Sequence, residues 1–248
     1  MKKTLTSLLA LSFVVSSFFL MSACTTPTST EIDPDGNVPQ KGMVSGRALD
    51  AVGKPLANAS IVINNSQYYN HNVLGQTDAN GRYNLQVTPG SWYVRGTVKT
   101  KFDNKTYVLD LHPDNDVAFA GTDGAVRNLT LKVSGERTGE FGNDGYYGGK
   151  VEVFTTGVPT NQVTLTLQPV GSLIDGSTGR TITTKPTDMY IHDVPLGKYT
   201  VTAQAGNQPL QVRIRNADQA YGNSVTASFD PAYPGAEGRY KLNVEVQK

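Results

Sequence analysis

From Met43 onward the chain alternates apolar and polar residues over short runs, each closed by Gly, Pro, Asn or Asp. A period of two marks strands with one face in a core and the other in water. The runs predict strands over 44–49, 59–64, 73–77, 82–87, 92–99, 105–111 and 125–133. Seven short strands in about 90 residues, with turn residues between them, make a β-sandwich. After a glycine-rich stretch the pattern resumes over 150–154, 162–168, 181–184, 189–193, 198–205, 211–215, 224–229 and 239–246. No window holds a helical period. The expectation is an all-β protein of two tandem sandwiches, 43–134 and 150–248, joined by a short flexible linker, 135–149.

The two blocks repeat each other. GKPLANASIVI, from Gly53, lines up without gaps on GVPTNQVTLTL, from Gly157, pairing Ala59 with Val163, Ile61 with Leu165 and Ile63 with Leu167. YNLQVTPGSWYVRG, from Tyr83, lines up on YIHDVPLGKYTVTA, from Tyr190. The halves read as copies of one sandwich, the second more divergent.

Ahead of this pattern stands a different object. Lys2 and Lys3 precede the apolar run LLALSFVVSSFFLM, and small residues follow before Cys24. A run of fourteen residues is too short for an ordinary spanning helix and suits a secretory signal. The end of the run, Leu20-Met21-Ser22-Ala23-Cys24, resembles a bacterial lipobox, which implies cleavage after residue 23 and lipidation of Cys24. Cys24 is the only cysteine, so no disulfide forms within one molecule. Two or more acyl chains give stable anchoring without a span. Thr25 follows where enterobacterial lipoproteins retained at the inner membrane carry Asp, and this implies the outer membrane in a cell that has one. Residues 24–42, with three prolines and no aromatic residue, read as a tether. Cleavage removes Lys2 and Lys3 and no acid, so the formal charge passes from +1 to −1. With no basic run, nucleic acid is not expected as a partner.

The first block resembles the carboxypeptidase regulatory-like family, whose fold is the transthyretin-like seven-strand sandwich. The residues that carry the likeness are Val44-Ser45-Gly46 with Asp50, Gly53-Lys54-Pro55-Leu56 with Ala59 and Ile61, Thr77-Asp78-Ala79-Asn80-Gly81-Arg82-Tyr83, and Pro89-Gly90. It covers about 43–133; the second block follows the pattern more loosely. Members of that family are mostly non-catalytic modules, so the resemblance implies binding, spacing or assembly.

Candidate chemistry is sparse. Asp78, Asn80 and Gly81 have the spacing that opens a calcium loop, but no acid follows before Asp103, and Asn-Gly between apolar residues marks a hairpin corner. Asp33 to Asn37 is first a turn. The densest set of potential ligands, His112-Pro113-Asp114-Asn115-Asp116, reads as a solvated loop, and His192 as a surface or half-buried strand residue. His71, His112 and His192 form no zinc motif, and no serine sits in a nucleophile elbow. No cofactor, metal site or catalysis is expected. Aromatic pairs are the better hint: Tyr68, Tyr69, Trp92, Tyr146 and Tyr147 are the candidate binding residues, offering flat faces to a sugar ring or a partner protein. The expected protein is a lipid-anchored envelope lipoprotein that binds or scaffolds an envelope protein or polysaccharide, with carbohydrate binding through exposed aromatics as the alternative.

Overall fold

The structure, a computed structural model, describes Gly36 and residues 38–248. The expected signal segment, Cys24 and most of the tether lie outside the described residues. The first block holds β1 (Met43–Leu49), β2 (Ser60–Asn65), β3 (Asn72–Gln76), β4 (Arg82–Gln86), β5 (Ser91–Phe102), β6 (Lys105–Pro113), β7 (Phe119–Ala120), β8 (Ala125–Val126) and β9 (Leu129–Leu131). The second holds β10 (Gly149–Thr156), β11 (Val163–Pro169), β12 (Ile182–Thr184), β13 (Tyr190–Val194), β14 (Lys198–Ala205), β15 (Gln208–Ile214), β16 (Val225–Ser228), β17 (Asp230–Pro231) and β18 (Tyr240–Gln247).

The hydrogen-bonded order is β3-β2-β5-β6-β9-β1-β4 in the first block and β12-β11-β14-β15-β18-β10-β13 in the second. Renumbering the second from β10 gives the order of the first, so the duplication read in the sequence is one of topology. In both copies the opening strand runs parallel to the closing one, β1 with β9 and β10 with β18. Both also turn the corner of the sandwich on one strand. β6 pairs with β5 up to Asp110 and with β9 from Leu111, while β15 pairs with β14 up to Leu210 and with β18 from Gln211.

The inward residues are those the alternation selects. Ala59, Ile61 and Ile63 in one copy and Val163, Leu165 and Leu167 in the other have no exposed surface. The corner at Asp78 is structural: its Oδ1 accepts the N–H groups of Asn80 and Arg82, both at 2.8 Å, and Gly81 sits at φ +73°. A Cβ at Gly81 would lie 2.5 Å from the Ala48 carbonyl oxygen, so glycine is required there. Beside it, the buried Thr77 hydroxyl donates to Leu56 O at 2.6 Å and accepts Ala59 N–H at 2.8 Å, tying the Thr-Asp corner to the Pro-Leu loop.

The sandwiches are docked pole to pole. The described chain enters the first at Gln40 to Met43, where Gly42 N–H bonds Gly121 O and Gly121 N–H bonds Gly90 O. The second packs on the opposite pole, around the β5–β6 turn. Tyr107 donates its hydroxyl to Phe229 O at 2.8 Å. The Tyr240 hydroxyl donates to Val108 O at 2.9 Å and accepts Val108 N–H at 2.8 Å. Lys198 with Asp103 and Lys105 with Asp230 ring the contact. One apolar cluster runs through both blocks.

Residues 135–149, expected as a flexible joint, are instead folded back along the first sandwich as a strap. Phe141 stacks on Tyr93, centroids 4.0 Å apart and 4° from parallel. The Arg137 guanidinium is buried, pairs with Asp110 at 2.7 Å and lies 4.5 Å over the Tyr147 ring. Thr138 and Arg95 both bond the buried Asp116 carboxylate, and Arg95 also donates to Glu140 O. Glycine content signals conformational freedom in the unfolded chain; here the side chains between the glycines, Arg137, Thr138, Phe141 and Tyr147, fix the segment.

Candidate functional site

The five aromatic residues singled out in the sequence separate into three environments. Tyr68 and Tyr69 are exposed, Tyr69 at 99%, in the β2–β3 connection at the entry pole. Trp92 and Tyr147 are corrections: at 0% and 3% exposure neither can offer a face to a ligand. Trp92 shares parity with Val94 and fills the core, its indole N–H donating to Thr88 O at 2.9 Å. Tyr147 packs under Arg137, its hydroxyl 3.2 Å from His112 Nδ1. Tyr146 alone joins a larger constellation.

That constellation arises from a register fault between the two copies. In the first, β4 pairs regularly with β1, with Leu85 opposite Val44, and Val87 N–H bonds Gly42 O. In the second, Val194 stands opposite Gly149 but Ile191 stands opposite Val151, so His192 and Asp193 together face the single residue Lys150. This is a β-bulge, which re-aims side chains because one extra residue reverses the alternation beyond it. Ile191 is buried, His192 is exposed, and Tyr190 lies half-buried under Lys150. The ungapped alignment of Tyr83 with Tyr190 is therefore out of step: Tyr83 is buried, with its hydroxyl 2.6 Å from Arg127 O, while Tyr190 joins the outer face.

Asp193 holds the fault in place. Its φ is +54°, unusual for any residue but glycine, although Asp tolerates it better than most. Its carboxylate accepts Gly135 N–H at 2.8 and 3.0 Å and Gly148 N–H at 3.2 Å, so the two ends of the strap fasten the bulge. A Cβ on Gly148 would lie 2.5 Å from the Asp193 carboxylate, and one on Gly149 2.3 Å from the Phe229 ring. The floor between strap and bulge is consequently bare backbone.

Over this floor lies a cleft of about 410 Å³, lined by Tyr146, Lys150, Glu152, His192, Tyr233 and Arg239 among others. Ring centroids of Tyr146 and His192 are 6.4 Å apart and those of His192 and Tyr190 5.8 Å, making a row along β13. Tyr233, 64% exposed, is a further aromatic of the lining. Lys150 Nζ lies 4.4 Å over the Tyr190 ring. Glu152 is shared by Lys150 at 2.9 Å and Lys241 at 3.5 Å. Burial alone would raise the Glu152 carboxyl; the two ammonium groups outweigh it and hold the group below the usual carboxylate range. Sequence reasoning missed Tyr190, Tyr233, Arg239 and the lysines. One signal was present: Ile191 and Val194, three apart, cannot both face inward in a regular strand.

The other expected ligand loop is spent on structure. Asp114 accepts both the backbone and side-chain N–H groups of Asn128, Asp116 is held by Arg95 and Thr138, and His112 packs on Tyr147. Among the described residues no group of three or more His, Cys, Asp or Glu is placed to hold a metal ion.

No family model matches the chain, and no curated protein does. Solved structures similar to it include the Bacillus anthracis TIE protein, at 17% identity, covering 84% of this chain and 34% of that one, with a TM-score of 0.30. The chain thus spans about a third of that protein's length. Others are the major pilin protein of Streptococcus pyogenes, at 11% identity over 85% of this chain and 98% of that one, TM-score 0.27, and a C-terminal fragment of the pilus adhesin SpaC from Lactobacillus rhamnosus GG, at 12% identity over 84% and 97%, TM-score 0.22.

Proposed function

We propose that this protein is a non-catalytic binding module of the cell envelope, related to the carboxypeptidase regulatory-like sandwiches, tethered to a membrane by lipid on Cys24 and holding the β13 cleft out toward an envelope partner. The observation that carries the reading is the bulge: a strained Asp193, fastened by both ends of a strap, puts Tyr190 on the outer face beside the exposed His192, where the first copy keeps the aligned Tyr83 in its core. A strain that persists only because its surroundings over-determine it fits a binding site better than a spacer. The tether side supports the same reading, since the described chain enters at the pole opposite the junction with the second sandwich.

The test is photo-crosslinking in intact cells. A photoreactive residue at position 233 is expected to capture an envelope component, and one at Asp123 on the entry pole is expected to capture none of it. Equal capture from both positions, or from neither, contradicts the reading. Cys24→Ala is expected to release the protein from membranes; a variant that stays membrane-bound with an unchanged lipid label overturns the anchor.

A further inference from the structure

We infer that the β13 cleft is a subsite for an acidic saccharide, a uronic acid or a comparable carboxylate-bearing sugar; this rests on the reading of the cleft as a binding site. Three features of the lining select that chemistry. The first is the kind of apolar surface on offer. Tyr146, Tyr233 and the His192 ring supply flat faces, while among the described residues no Leu, Ile, Val, Met or Phe lines the cleft and Ala232 is its one aliphatic residue. A protein partner's anchor seats itself in a dry pocket of well-packed residues. A pyranose ring instead needs a flat face for its C–H side and polar groups around its rim, which is the combination aromatic rings with wet edges provide.

The second feature is the floor. Gly148 and Gly149 have no room for a side chain, because a Cβ on either meets Asp193 or Phe229. Bare backbone lets a ring settle between Tyr146 and Tyr233, and 410 Å³ lies within the range of small-molecule sites.

The third is charge. Lys150, Lys241 and Arg239 line the cleft against Glu152 and Asp193. Glu152 is shared by both lysines, and Asp193 is turned to the backbone N–H groups of Gly135 and Gly148. Arg239 is exposed, and its guanidinium bonds only the carbonyl oxygens of Asp144, at 2.9 Å, and Tyr146, at 3.4 Å, with no carboxylate on it among the described residues. A guanidinium held by carbonyls keeps its full charge and is already oriented, so a sugar carboxylate meets a fixed donor. The excess of positive charge disfavours a cationic ligand, and a neutral sugar offers Arg239 only hydroxyl acceptors, which bind it more weakly than a carboxylate does.

Affinity electrophoresis and calorimetry of the full chain with oligogalacturonate, and with its methyl ester as the uncharged twin, test the inference. Oligogalacturonate is expected to bind, the methyl ester at least about tenfold more weakly, in proportion to one charge-assisted hydrogen bond. Arg239→Gln is expected to remove that difference and Tyr233→Ala to weaken both ligands, with Tyr69→Ala silent. Both substituted side chains are exposed, so unchanged melting of the variants separates lost binding from lost fold. Equal binding of acid and ester, or binding indifferent to Arg239→Gln and Tyr233→Ala, overturns the inference. Should neither saccharide bind while position 233 still crosslinks an envelope protein, the saccharide falls and the binding module stands; silence in both experiments removes the two together.

Discussion

At the scale of single residues, aromatic type and strand parity make opposing claims, and parity wins. Trp92 and its counterpart Tyr199 are both fully buried, and each spends its one polar hydrogen on the carbonyl four residues back, Thr88 O at 2.9 Å and Pro195 O at 2.8 Å. A large ring on an inward position is core whatever its affinity for ligands, provided its donor finds a partner. Trp92→Ala is expected to cost about 3–5 kcal/mol in chemical unfolding, whereas Tyr69→Ala stays within about 0.5 kcal/mol. A Trp92 variant as stable as the native protein would contradict the placement. The tyrosine loop differs because Asn65 Oδ1 accepts the N–H groups of Gln67 and Tyr68, turning the chain outward so that neither tyrosine reaches the core. That exposure was legible from the polar sequence NNSQYYNHN; the burial of Tyr147 was not, because it depends on Arg137 and His112, distant in sequence and chemically silent as a pattern.

At the scale of elements, alternation located almost every strand, since each apolar run had a core to face, and the ungapped repeat correctly paired β2 with β11 and β5 with β14. It failed at β13 for a physical reason: a bulge changes phase by one residue, and Tyr190, His192 and Val194 keep a false period of two while the true inward set is Ile191 and Val194. The strap failed differently, since the contacts that hold it on the first sandwich, with Tyr93, Arg95, Asp110 and Asp116, come from residues outside the segment. Two outcomes follow from these elements. Asp193→Ala removes the acceptor of two strap N–H groups and leaves alanine at positive φ, so it is expected to destabilise by about 1–3 kcal/mol and to lose cleft binding, with Asp193→Asn milder because Asn accepts that conformation. The second concerns acid. Burial, reinforced by Lys132, lowers His112 below the ordinary imidazole value against the opposing pull of Asp116 and Asp114. A folded-state value below the unfolded one means the unfolded chain takes up the proton first. The His112 contribution is therefore whole above the unfolded value, near 6.5, and is lost as pH falls from there toward the folded one. Protection of the strap amides, taken as exchange relative to an unstructured chain at the same pH, is expected to fall between pH 7 and 5, and His112→Asn to flatten that dependence; an unchanged slope would remove His112 as its source.

For the whole molecule, the question is whether two copies of one sandwich behave as two bodies or one. Domains joined by a small polar interface melt separately, while a shared apolar core couples them. Here Tyr107 and Tyr240 are buried at the junction with centroids 5.0 Å apart, and the apolar cluster passes from one sandwich into the other. The ion pairs around it, Lys198 with Asp103 and Lys105 with Asp230, are partly or largely exposed and contribute little. Coupling therefore rests on the shared apolar cluster and on the hydrogen bonds that cross the junction, among them those of the Tyr240 hydroxyl. The Tyr240 hydroxyl serves both the N–H and the C=O of Val108, a half-buried residue whose backbone groups lose both of these bonds if the oxygen is taken away. Tyr240→Phe keeps the ring and its packing and deletes only that oxygen, leaving the Val108 N–H short of its partner at a cost of about 1–3 kcal/mol, while Val108 O keeps the Gly238 N–H at 3.0 Å. Calorimetry of the native protein is expected to give one transition, with the calorimetric and van't Hoff enthalpies equal. In Tyr240→Phe that transition is expected to fall in temperature and broaden or divide, because the loss lies on the contact between the sandwiches rather than inside either. Tyr233→Phe, on an exposed ring in the cleft, provides the comparison and should melt as the native protein does. Two resolved transitions in the native protein would show that the second sandwich moves independently of the first, and with it the cleft.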